Sequence, residues 1–155
     1  FPIIRLGEIY LNYCEAMNEY YGEECHAEIL PYLRAIRERA GIGVGVIEGD
    51  NANEDQLLKG KLTQEQMREI LRNERRVELA WETNRYFDVR RWNRGVELFN
   101  DAIEGFNAPD GTAAETFNQI ITWQPRVFQS PKHYLNPIPQ EEVDRNPAID
   151  QNPGY

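Results

Sequence analysis

One stretch constrains this chain more than any other: Leu62 to Trp92, LTQEQMREILRNERRVELAWETNRYFDVRRW. It opens with a full helix-start signal. Thr63 offers an N-cap oxygen, Gln66 can close a capping box, and Leu62 and Met67 stand where a hydrophobic staple forms. At about 100° per residue, Met67, Ile70, Leu71, Val77 and Trp81 share one side of a helix predicted from about Gln64 to Glu82. Glu74, Glu78 and Glu82 fall on that same side. Carboxylates in an apolar stripe need to be paired and hydrogen-bonded. Arginines are close by in the sequence, at 72, 75, 76, 85, 90 and 91. The expected structural ion network is Glu74, Glu78 and Glu82 with Arg75, Arg85 and, from an earlier helix, Arg37. Glu74 and Glu78 are expected to be mostly buried.

The chain ahead of this helix reads as a helical hairpin. Over residues 3 to 21, Leu6, Ile9, Tyr10, Tyr13, Met17, Tyr20 and Tyr21 share a face, with Arg5, Glu8, Asn12 and Glu15 opposite. Gly22 stops that helix. A second helix is predicted over 28 to 40, burying Ile29, Leu33, Ile36 and Ala40, with Pro31 in its first turn and Gly41 as its stop. Arg37 lies on its apolar face. So short a connection predicts antiparallel packing. The pair resembles a degenerate tetratricopeptide unit as much as it does a generic hairpin. Residues 43 to 61, rich in glycine and acids, read as a surface loop.

Beyond Arg85 to Trp92, expected to add one or two helical turns, the pattern changes. Gly105, Pro109-Asp110-Gly111, Pro125 and Pro131 punctuate residues 93 to 136, leaving loops and at most a short hairpin from runs such as Gln119–Trp123 and Arg126–Phe128. Pro139 to Asp144 can make one helical turn. In the tail, Pro137, Ile138, Pro139, Pro147 and Tyr155 look like groups that dock on a surface. The fold expected is mainly α: a helical hairpin plus a long central helix, with a loop-rich C-terminal half.

The net charge of −9 argues against nucleic acid or an anionic membrane surface as partner. No apolar run is long enough to span a bilayer. The chain begins at Phe1 rather than Met, so it is expected to be a processed or trimmed piece of something longer. Cys14 and Cys25 show neither disulfide-framework nor metal spacing, and a bond between them looks strained. His26 and His133 are far apart, and no His-Glu-x-x-His or Cys-x-x-Cys spacing occurs. Asp50, Asn51, Asn53 and Asp55 lack the EF-hand pattern, so a solvated loop is the reading there. A nucleophile elbow and a phosphate loop are both missing. Neither a metal nor a cofactor is expected. Glu74, Glu78 and Glu82 are spaced for carboxylate-pair glycoside chemistry, but arginine pairing keeps carboxylates ionised, the opposite of what a general acid needs. Phe117, Trp123, Phe128 and Tyr134 lie outside the helical core pattern and are the candidate ligand-stacking rings, with core packing as their other reading.

Four segments together resemble one family. Arg5–Asn18 (RLGEIYLNYCEAMN) is close to the pattern R-x-A-E-x-x-L-x-x-A-E-A-x-N, and Ile36–Gly41 (IRERAG) to I/V-R-x-R-A-G. Asn73–Trp92 follows E-R-R-x-E-L-x-x-E-x-x-R-x-x-D-x-x-R-W, and Tyr134–Tyr155 carries Pro137-Ile138-Pro139, Asn146-Pro147 and the terminal Gln151-Asn152-Pro153-Gly154-Tyr155. Their order resembles the C-terminal part of SusD/RagB proteins, nutrient-binding lipoproteins of Bacteroidetes outer membranes. Gly7 and Cys14 stand where alanine is usual, and Arg34 where asparagine is. The resemblance implies that residues 1–155 are the C-terminal domain of a longer protein. It also implies a non-enzymatic glycan or nutrient binder at the cell surface, partnered with a SusC-like TonB-dependent transporter. Membrane attachment would come only through a lipid anchor outside this chain. A protein-binding helical scaffold without glycan affinity is the first alternative. A glycoside hydrolase using Glu74, Glu78 or Glu82 is the second.

Overall fold

The capping box at Thr63 forms: the Gln66 N–H donates to Thr63 Oγ1 at 3.2 Å, and the Thr63 N–H donates to Gln66 Oε1 at 2.9 Å. These bonds satisfy two of the orphan donors at a helix start. The structure is a computed structural model describing residues 4–41 and 62–155. The predicted loop over 43 to 61, with Asp50, Asn51, Asn53 and Asp55, lies outside the described residues. The chain divides into two compact units, one up to Arg85 and one from Tyr86 to Tyr155.

The first unit contains α1 (Leu6–Tyr21), a 3-10 turn (Gly22–Cys25), α2 (His26–Arg39) and α3 (Gln64–Glu78). Helix α1 packs against both α2 and α3. Gly22 takes a φ of 64°, the left-handed conformation that lets the chain leave α1 without a Cβ penalty. The core is Leu11, Cys14, Cys25, Ile29, Leu33, Ile36, Met67, Leu71 and Leu79, with Tyr10, Tyr13, Met17 and Tyr32 packed against it. Tyr10 and Tyr13 each meet the Tyr32 ring edge-on at 5.1 Å. Burying a Leu, Ile or Met side chain contributes roughly 1.5–3 kcal/mol, so this cluster is what holds the three helices together.

Three details differ from the sequence reading. The buried line of α1 is Leu11, Cys14 and Asn18, while Leu6, Ile9, Tyr20 and Tyr21 are exposed. A helix between two neighbours buries the strip facing both, and here the small Cys14 and the amide of Asn18 lie along it. Helix α2 begins at His26, so Pro31 sits inside it rather than in its first turn, and Ala40 is exposed. Helix α3 ends at Glu78 rather than Glu82. Trp81 and Thr83 both take φ 67°, a conformation costing a non-glycine residue roughly 1–2 kcal/mol. The 100° count stops where the helix stops, so Trp81 is fully exposed and Val77, at the stripe's margin, is exposed as well.

The boundary between the units falls in α4 (Asn84–Arg91), in the expected place for extra helical turns. The second unit continues with α5 (Gly95–Leu98), strand β1 (Ile103–Phe106), α6 (Ala114–Phe117), strand β2 (Ile120–Gln124), a 3-10 turn (Lys132–Tyr134) and α7 (Gln140–Arg145). The strands form a two-stranded antiparallel sheet, with Glu104 opposite Thr122, Gly105 opposite Ile121 and Phe106 opposite Ile120. The sequence singled out β2 but not its partner β1, and Arg126–Phe128 is not a strand. The molecule is mainly helical with this single small sheet among the described residues.

Phe128, only 8% exposed, is the hub of the second unit. Phe99, His133 and Tyr134 surround its ring at centroid distances of 5.9, 5.4 and 4.8 Å. A Cβ at Gly95 would come within 2.3 Å of that ring, so glycine is what allows α5 to close on it. The tail folds back on residues 135 to 138. The Ile138 N–H donates to Gln151 Oε1 at 2.9 Å, and Gln151 Nε2 donates to the Ile138 carbonyl at 2.8 Å. Tyr155 donates its hydroxyl to the Leu135 carbonyl at 3.1 Å, under the Lys132 ammonium.

Candidate functional site

The glutamates of α3 meet arginines brought from α1 and α2. Arg37 of α2 pairs with Glu74 of α3, its Nε 3.0 Å from Glu74 Oε1. Glu78 receives two arginines: Arg39 Nη2 reaches its carboxylate oxygens at 2.6 and 2.7 Å, and Arg5 donates to the carboxylate and to the Glu78 carbonyl. Just past the helix, Glu82 accepts from Arg5 Nε at 2.9 and 2.8 Å. The side chains of Glu74 and Glu78 are 12% and 7% exposed. Glu82 is held below the usual carboxylate range, first by its hydrogen bond from Arg5. The same contacts hold the Arg5 guanidinium firmly protonated, with the Glu82 bond the larger cause.

Two of these bridging arginines escaped the sequence reading. The helical count puts Arg5 on the polar side of its helix, but it is the residue before the first turn of α1, and its long side chain turns toward the end of α3. Arg39 lies in the last turn of α2, where a cation is favoured by the helix dipole. Arg75 joins a different pair: it is buried and donates to Asn12 Oδ1 at 2.6 Å, with Glu15 at 3.7 Å. Arg85, just beyond α3, is also held by a polar or ring contact. Asn18, with zero exposure, is a further residue the sequence reading passed over. Its Nδ2 donates to the Gln64 carbonyl at 3.1 Å and its Oδ1 faces His26 Nε2 at 3.1 Å, while Gln64 Nε2 donates back to the Asn18 carbonyl at 2.7 Å. Burial pushes the His26 imidazole below its ordinary value. A polar residue at a position whose i−4 and i−7 neighbours are apolar was the available signal.

Chemically, this network ties three helices to each other. The Glu78 oxygens face two guanidinium groups, and breaking such a half-buried set by removing one member strands the others. Cys14 and Cys25 are free thiols in the core, and burial pushes Cys14 up to about 12. Their hydrogens point to the Ile29 and Gly22 carbonyls at 3.6 and 3.2 Å. No group of three or more metal-ligating side chains assembles among the described residues, and none of the described helices is long and apolar enough to cross a membrane.

The four candidate rings separate into two kinds. Phe128 is buried and Tyr134 half-buried, its hydroxyl accepting from the Gly95 and Val96 amides at 2.8 and 3.3 Å. These two are core groups of the second unit; proline punctuation hid from the sequence how tightly its loops close. Phe117 and Trp123 are exposed. Phe117 stacks on Phe106 at 5.6 Å, and the Trp123 indole N–H donates to the Phe106 carbonyl at 3.2 Å.

A helical hairpin cross-linked to a third helix by arginine–glutamate pairs, followed by a loop-rich unit with exposed aromatics, describes a mainly α protein whose buried charges serve its own packing. Its sequence places it further: the SusD family model matches residues 1–155, and the chain belongs to the SusD family. SusD-like protein P2 of Formosa agariphila is 32% identical over 153 residues, covering 98% of this chain and 25% of that protein. SusD-like protein P25 of the same organism is 30% identical over 147 residues, covering 95% and 22%. Among solved structures, BT4246 aligns over 98% of this chain and 23% of its own, with 35% identity and a TM-score of 0.76. A SusD-like protein from Bacteroides fragilis aligns over 99% and 25%, with 30% identity and a TM-score of 0.68. The chain spans about a quarter of the length of the curated relatives it matches.

Proposed function

We propose that these residues form the C-terminal domain of a cell-surface glycan- or nutrient-binding protein of the bacterial outer membrane. It binds oligosaccharide without cleaving it and passes it to a SusC-like TonB-dependent transporter. The single observation that carries this reading is family membership across the whole chain. The internal use of Glu74, Glu78 and Glu82 supports a binding rather than a hydrolytic role. Their arginine partners occupy the carboxylate oxygens that acid–base chemistry would need. Of the candidate rings, Phe117 and Trp123 are the ones whose exposure suits contact with a ligand.

The test is a titration of the complete gene product against a polysaccharide panel, by affinity electrophoresis and calorimetry. The expected result is saturable binding to at least one glycan with no release of reducing ends, and co-purification with a TonB-dependent transporter. Absence of binding to every glycan, with the transporter or another protein still captured, would leave the scaffold reading in its place.

A further inference from the structure

We infer that Trp123 is a stacking platform for a neutral pyranoside, held in position by Gly105 and by its bond to the Phe106 carbonyl. The inference rests on the glycan-capture reading above and adds to it one contact residue and a ligand class.

The geometry begins with the ribbon. Trp123 is diagonal to Gly105 across the β1–β2 pair, and its indole lies over the glycine position. A Cβ at residue 105 would come to 2.9 Å from Nε1 and 3.1 Å from Cδ1. Only glycine lets the pyrrole edge lie this close to the strand. The indole N–H donates to the Phe106 carbonyl at 3.2 Å, so the ring is fastened by that edge. The residue nevertheless remains 51% exposed. An indole held at two points has its rotamer chosen before any ligand arrives, and stacking on it costs little further ordering. Its N–H is already used, which leaves the aromatic surface itself as the group offered to a ligand.

The chemistry around it selects the partner. A pyranose ring presents a face of C–H groups that suits a flat, polarisable surface. Between Arg94 and Arg126 the chain holds Glu97, Asp101, Glu104, Asp110 and Glu115, and no lysine, arginine or histidine. Sulfated or uronic-acid chains would be repelled there, so charge complementarity favours an uncharged saccharide. Strands of four and five residues also offer far less than the roughly 800 Å² that each side of a stable protein interface contributes.

The experiment uses the complete gene product and its Trp123→Ala, Trp123→Phe and Gly105→Val variants. The probes are xylan, galactomannan, mixed-linkage β-glucan and starch as neutral glycans, and alginate, polygalacturonate and carrageenan as acidic ones. We expect binding to at least one neutral glycan, weakened about tenfold or more by Trp123→Ala and by Gly105→Val and less by Trp123→Phe. Thermal melts and circular dichroism identify variants that fail to fold. For those, protection of Trp123 fluorescence from acrylamide by the neutral glycan, in a Trp81→Phe/Trp92→Phe background, replaces the affinity readout. Unchanged neutral-glycan affinity in a folded Trp123→Ala variant overturns the platform while glycan capture stands, and loss of captured protein instead assigns the ring to a protein interface. Tightest binding to an acidic glycan overturns the ligand class. Failure of the unaltered protein to bind any glycan overturns the capture reading and this inference with it.

Discussion

The two units solve the same problem by different means. In the helical unit the backbone satisfies itself within α1, α2 and α3, and side chains are left to join one helix to the next. Apolar groups do most of that joining, and arginine–glutamate pairs finish it where the stripe of α3 carries charge. In the second unit long stretches lack a ladder, so side-chain amides and hydroxyls take over the backbone's hydrogen bonds. Asn100 is the clearest case: its Nδ2 donates to the Phe128 carbonyl at 3.3 Å and its Oδ1 accepts from the Phe128 N–H at 2.6 Å, imitating a strand partner. Arg90 does the same work for the Tyr134 carbonyl, and Gln151 for Ile138. A regular backbone leaves side chains free to specify neighbours; an irregular one uses them to replace missing secondary structure.

The contrast can be broken most strongly in the apolar core. Leu11→Ala, at a site with zero exposure, should cost about 2–5 kcal/mol by lost transfer energy and a residual cavity. Denaturant melts would read this, and hydrogen exchange should localise the lost protection to the first unit. Next comes the ionic network. Glu78→Gln leaves Arg5 and Arg39 facing a neutral amide; the glutamate is nearly buried but its partners are partly solvated, so about 1–3 kcal/mol is expected. Because Arg5 also holds Glu82, the Glu78→Gln, Arg5→Met double variant should lose less than the sum of the two single losses, and a strictly additive double-mutant cycle would show that the pair is not coupled.

Asn100→Ala tests the other unit. It removes two hydrogen bonds to a buried backbone segment and should cost about 1–2 kcal/mol, with protection lost around Phe128 and little change in α1 to α3. Equal loss in both units would erase the distinction drawn between them.

The smallest effects concern pH. Glu82 and Glu19 are held below the usual carboxylate value by Arg5 and Arg68, so each contributes stability that is present above that value and lost as pH falls through the folded one. His26 behaves alike in sign at higher pH. Burial lowers its folded value below 6.5, the unfolded chain takes up the proton first, and stability declines as pH falls from about 6.5. Melting temperatures measured from pH 8 down to 4 should show a shallow loss near 6 followed by a steeper acid limb. Replacing His26 by Gln should remove the first and leave the second.

Much of the first unit was legible in the residues. The capping box at Thr63, the hairpin, Arg37 facing Glu74 and the burial of Glu78 all follow from local signals and from the cost of a lone charge in an apolar stripe. The rotation of α1 was not legible, because tyrosines and isoleucines outnumber the small residues that actually face two neighbours. Arg5 and Arg39 were hidden for another reason: side chains this long leave the face their Cα assigns them. In the second unit, the pairing of Ile103–Phe106 with Ile120–Gln124 joins segments separated by a turn and by α6, and no local pattern announces it.

The Leu62–Trp92 stretch by itself determined that a capped helix exists and that its glutamates must find arginines. Tertiary structure alone decided which arginines, where the helix stops, and which aromatic rings stay in water. The reason is physical. Periodicity and capping act within one or two helical turns, whereas the partner of a buried charge and the exposure of a ring depend on segments brought together only when the chain folds.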